Sequence, residues 1–145
     1  MLSGFNLRAL VIAWVIDIVG SSVIGLVALV VVLLSKSLSA EQLGDQAFVT
    51  SLFYEPEVLT ASLLGGSLCS IVAAYVAARI AGTREIAHGL ASSAAGIAVT
   101  LSSIRQMSES LPAWLIYGSL ALGVALGFVG GWLRLVTKRA ASVTP

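Results

Sequence analysis

An all-α integral membrane protein, a bundle of four crossing helices, is the fold this sequence predicts, and three observations predict it. Hydrophobic residues make up 58% of the chain and charged residues only 10%, whereas a water-soluble domain carries roughly 25% charged residues. The apolar sequence falls into four segments, at about residues 9–34, 58–80, 86–104 and 112–135, each near the roughly 20 residues needed to cross the hydrocarbon. The basic residues gather at alternate ends of those segments. At 145 residues, 1–145 reads as a single membrane domain.

The same numbers exclude several classes. A formal net charge of +1 offers no basic surface for nucleic acid. The single cysteine, Cys69, lies inside an apolar run, so no disulfide framework exists within one chain. It reads as a small buried filler.

Taken in order, residues 9–34 are interrupted only by Asp17, Gly20, Ser21, Ser22 and Gly25. The run is too long for the core of a signal peptide, so it reads as a retained first crossing. Residues 35–57 form the one sizeable polar stretch, an outer loop. Within it Ser39 and Gln42 have capping-box spacing, with Leu43, Ala47 and Phe48 on one side of a short helix. Pro56 suits the start of the second crossing. The third is rich in small residues (Gly89, Ser92, Ser93, Gly96, Thr100), which places it inside the bundle. Arg105 to Leu111 reads as a short loop, Pro112 opens the fourth crossing, and 137–145 reads as a basic tail.

Charge sets the orientation. Arg8, Arg79, Arg84, Arg134, Lys138 and Arg139 fall on one side, and Lys36 and Arg105 on the other with Glu41, Asp45, Glu55, Glu57 and Glu109. This positive-inside bias puts both termini in the cytoplasm, with the chain multi-pass. Arg79, Arg84, Arg134, Lys138 and Arg139 then become candidate contacts to lipid headgroups.

Small residues recur where helices would meet. Ser119, Gly123, Gly127 and Gly131 occupy every fourth position, one face of the fourth crossing, and Ser62, Gly66, Ser70 and Ala74 repeat the pattern on the second. The first reading of such a face is packing within the chain; the second is a homo-oligomer seam or the dock of a larger complex. The second and fourth crossings also end alike, Ala73-Ala74-Tyr75 to Arg79 and Gly130-Gly131-Trp132 to Arg134, as two parallel helical-hairpin repeats would.

Between the second and third crossings the chain turns at Ala81-Gly82-Thr83. With Tyr75, Ala77, Ala78, Arg79, His88 and Gly89 around that turn, residues 70–89 resemble small bacterial four-span membrane proteins of uncharacterised function, the YrzE-like type. Ala73-Ala74 stands where that type carries a glycine pair. The resemblance implies the four-span layout and no activity.

The candidate intramembrane polar site is Asp17, with Ser21 and His88. Asp17 lies about 13 Å along a helix from Arg8. A charge at that depth costs about 2.5–3.5 kcal/mol on insertion scales, so it faces the bundle or is protonated. Ala13, Gly20 and Ser21 share its face. One reading is a proton or cation site; the other is a carboxyl hydrogen-bonded to serines of the third crossing. His88 follows Glu85 by three residues and reads as an interfacial histidine held by Glu85 or by backbone. One histidine without further ligands makes a poor metal site. No metal, cofactor or catalytic motif is expected, and the chain reads as a non-enzyme.

The expected function is a structural or accessory subunit that packs through small-residue helix faces, its partners being the bilayer and copies of itself or a larger membrane complex. The alternative is a small proton-coupled transporter with Asp17 as its membrane carboxylate. Four helices with an acid in the first resemble small multidrug-resistance exporters, but an aspartate, a long first loop and a strong charge bias depart from them.

Overall fold

The computed structural model describes residues 5–36, 42, 44–110 and 112–141, without the side chains of 103 and 106–110. It is all-helical. The elements are α1 (Leu7–Ser35), α2 (Gln46–Leu52), α3 (Pro56–Ala81), α4 (Glu85–Ser110) and α5 (Ala113–Ala141). In hydrocarbon a backbone must satisfy its own hydrogen bonds, which favours long uninterrupted helices over apolar sequence even where β-branched residues abound.

Among the described residues three helices, not four, are long and apolar enough to cross a membrane: α1, α3 and α5. This corrects the expectation of four equivalent spans. The physical reason is composition, since α4 begins at Glu85 and carries His88, serines, a threonine and many alanines.

Local chemistry sets the ends. The Asn6 side chain caps α1, its Oδ1 accepting from the Ala9 N–H at 3.2 Å. Asp45 caps α2 through the amides of Ala47 and Phe48. The predicted Ser39 cap and Leu43 lie outside the described residues. Leu52, rather than Ala47 or Phe48, is the buried residue of α2. Pro56 opens α3, as expected. α3 ends in a left-handed Gly82 whose N–H returns to the Ala78 carbonyl at 3.1 Å.

Two boundaries differ from the sequence reading. Arg105 to Ser110 continues α4 instead of forming a loop, and Thr137 to Ala141 continues α5 instead of forming a tail. In each case polar side chains at a helix end need no chain reversal.

α1 packs most closely along α3, and α4 along α5. α3 also meets α4 and α5, whereas α1 touches α4 along a short seam. Asn6, His88, Gly82, Glu85 and Lys138 lie together, so the start of α1, the last turns of α5 and the α3–α4 turn share one end of the bundle, the terminal end. The connection containing α2 lies at the other, the loop end.

Close approach depends on glycine. A Cβ on Gly131 would stand 2.7 Å from the Glu85 carbonyl oxygen, and one on Gly89 would overlap the Gly127 carbonyl. On α3, Ala74 and Ile71 lie equally close to Gly130. The two similar helix ends, Ala73-Ala74-Tyr75 and Gly130-Gly131-Trp132, thus pack against each other.

Candidate functional site: an acid-floored cleft between four helices

Asp17 sits on the face of α1 that the small residues share. Ala13 is fully buried, Ser21 rests over Gly66, and a Cβ on Gly20 would stand 2.8 Å from the Cys69 sulfur. These small side chains let α1 lie close to α3, and Ser70 Oγ then donates to Asp17 Oδ1 at 2.8 Å. Oδ2 faces Gly96 of α4, 3.8 Å from where a Cβ would stand. The partner expected from the third crossing is therefore a serine of α3. The reason is the closer α1–α3 packing.

Asp17 and Ser70 line a cavity of about 360 Å³ to which all four long helices contribute. Along α3 its wall runs from Ser70 to Ser62, along α4 from Ser93 to Thr100, and along α5 from Leu126 to Ser119. The α3 run leads from the level of Asp17 toward the loop end, and the α4 run leads the same way from Ser93, about one turn nearer the terminal end than Gly96. Toward the terminal end the glycine and alanine contacts close the bundle. Asp17 thus lies near the closed end of a cleft whose walls extend toward the loop end.

The wall is mixed in chemistry. Leu63, Ile97 and Leu126 are apolar, while serines and Thr100 supply hydroxyls. Ser93 donates to the Gly123 carbonyl at 2.8 Å, Thr100 to Gly96 at 3.0 Å and Ser119 to Ile116 at 2.8 Å. Ser21 and Ser62 donate to no protein group among the described residues. A carboxylate, free hydroxyls and apolar walls in a cavity of this size suit a small ligand with one cationic group.

The small-residue face of α5 divides between two uses. Gly127 and Gly131 are buried against α4. Ser119 and Gly123 line the cleft, and a Cβ on Gly123 would meet nothing within 4 Å. Gly130, outside the predicted face, packs onto α3.

His88 does not join Asp17. Gly96, the α4 residue at the level of the acid, is eight positions further on, about 12 Å along the helix. The imidazole is 0% exposed. Its Nε2 accepts the Asn6 backbone N–H at 3.0 Å, and Nδ1 lies 3.1 Å from the Arg84 carbonyl oxygen. Since the amide can only donate and the carbonyl only accept, the ring is neutral with its proton on Nδ1. The Phe5 ring lies against it, centroids 4.9 Å apart.

Glu85, the other partner open to His88 in the sequence, is taken elsewhere. Lys138 Nζ lies 2.6 Å from Glu85 Oε1 and also donates to the Gly82 carbonyl at 2.9 Å. This bond, then the carboxylate's hydrogen bond to its own backbone, holds Glu85 below the usual carboxylate range. Of the candidate headgroup contacts, Arg79, Arg84 and Arg139 are exposed and Arg134 is half-buried. Lys138 is committed to the protein. Arg84 also sits in the left-handed region, φ 50°, as the residue just before α4.

The contacts missing from the sequence reading are Ser70 to Asp17, Asn6 to His88 and Lys138 to Glu85. Asn6 is legible as a helix cap, but no spacing pattern links positions 82 residues apart. Among the described residues no three His, Cys, Asp or Glu side chains converge as metal ligands would. Comparison with protein-family models, with curated proteins and with solved structures returned no match.

Proposed function

We propose that the chain is a four-span protein of a bacterial inner membrane, with both termini cytoplasmic. In this reading it binds a proton or a small organic cation at Asp17 as a non-enzymatic carrier. The observation that carries the proposal is Asp17 near the closed end of a hydroxyl-bearing cleft, with the terminal end packed shut beneath it. Support for α4 as the fourth crossing comes from how its polarity is spent. Ser92, Thr100 and Ser102 donate to carbonyls of their own helix, Ser93 to α5, and His88 is bonded at both nitrogens. Satisfied polar groups lower the cost of placing a helix in lipid. The positive-inside distribution supports the orientation, and the YrzE-like resemblance of residues 70–89 supports the same layout.

The test is flux in proteoliposomes carrying an internal pH indicator, driven by gradients of sodium, potassium or a hydrophobic ammonium ion. Asp17→Asn should abolish cation-linked proton movement, and Ser70→Ala should weaken it, with both variants remaining monodisperse in detergent. Flux unchanged in Asp17→Asn would sink the carrier reading. The accessory-subunit role is the second reading. It is favoured by Gly118, exposed on α5 with nothing within 4 Å of an added Cβ, where another helix could approach closely. Native mass spectrometry of gently extracted protein separates the two, because a subunit arrives with other polypeptides and a carrier arrives alone or as copies of itself.

A further inference from the structure

We propose that the contact of Phe5 and Asn6 with His88 is the latch that keeps the cleft shut at its cytoplasmic end, closed while the imidazole is neutral. This rests on reading the cleft around Asp17 as a binding site. α1 is held along α3 by close packing, but its seam with α4 is short, and the Asn6 N–H to His88 Nε2 bond is the one hydrogen bond across it among the described residues. Above that bond lie Leu10, Ala13 and Ala91, and then Asp17. If the first turns of α1 leave α4, a path opens from the cytoplasmic end to the acid.

The ring chemistry gives the latch a trigger. Nδ1 already donates to the Arg84 carbonyl, so Nε2 is the nitrogen left to take a proton. Once protonated, Nε2 would point an N–H at the Asn6 N–H, two donors facing each other. The bond then becomes a repulsion. At the terminal end, the charged groups on the elements around His88 are Arg8 on α1, Arg79 on α3, Arg84 just before α4, Glu85 on α4, and Arg134, Lys138 and Arg139 on α5. Glu85 is the only anion of these, and Lys138 takes it. No carboxylate is therefore placed to hold a protonated ring where it is. Protonation of Nε2 from the cytoplasmic side would therefore release the first turns of α1 from α4.

The experiment reads accessibility rather than flux, so its outcome is separate from that of the carrier assay. In a Cys69→Ser background, Ala13→Cys and, separately, Ala91→Cys are exposed in inside-out vesicles to a charged, membrane-impermeant maleimide. Each rate is normalised to the unfolded chain at the same pH. Labelling should be slow at about pH 8 and rise about five- to tenfold near pH 5.5, the weight of roughly one hydrogen bond. His88→Ala should label fast at both pH values. Asn6→Pro, which deletes the N–H but leaves the ring, should do the same, whereas Asn6→Ala keeps the N–H and should stay slow. Labelling that ignores pH, or that stays slow in both His88→Ala and Asn6→Pro, overturns the latch.

Discussion

Single side chains at the terminal end decide how the helices are tied. Glu85 opens α4, outside the apolar sequence that follows it, and is only 8% exposed. Its pKa is lowered chiefly by Lys138. A carboxyl whose pKa is depressed by folding stabilises the fold above its unfolded titration range, and that stability is lost as pH falls through the folded value. Resistance to thermal unfolding in detergent should therefore fall as pH drops below about 4.5, the ordinary glutamate value, and Lys138→Met should flatten this dependence. The shift should be modest, because the Lys138 side chain is 48% exposed and screened by solvent. An equal acid response in the Lys138→Met variant would assign the effect to other carboxylates.

At the scale of helices, small residues matter by position rather than by number. In lipid there is little hydrophobic drive between helices, so tight packing supplies the association energy. Gly131 sits against the backbone of Glu85 and Ile86, atoms that cannot rotate away. Gly131→Ala should destabilise the bundle by about 1–3 kcal/mol, the usual cost of overpacking. Gly123→Ala adds the same methyl where nothing lies within 4 Å and should be neutral or slightly stabilising, since alanine is the better helix former. Melting both variants side by side in one detergent checks this. Similar losses in the two would mean that the Ser119–Gly131 face is used uniformly.

For the whole molecule, the consequence is an asymmetry between the two ends. Glycine and alanine close the terminal end, while serine-lined walls flank the cleft on the loop-end side. In the proposed orientation, Ser62→Cys and Ser119→Cys, in a Cys69→Ser background, should react with an impermeant thiol reagent from the outer side of the membrane. Ala77→Cys, at a position 0% exposed, should react from neither side at neutral pH. Reaction of Ala77→Cys as fast as Ser62→Cys would show that no such closure exists.

The sequence alone carries the helical architecture, because apolar runs separated by charged turns leave the backbone few other ways to satisfy its hydrogen bonds. It also carries the Gly82 turn and the inward face of Asp17, both readable from residue type and helical spacing. The extents of α4 and α5 were not legible, since polar residues at a helix end resemble a loop when only hydropathy is read. Nor was the partner of Asp17, nor which nitrogen of His88 accepts. Those depend on which helices lie closest, and that is decided by where Gly20, Gly89, Gly130 and Gly131 let backbones approach. Tertiary structure turned a run of small residues into a closed end and an open cleft, because a missing Cβ has no consequence until another helix fills its place.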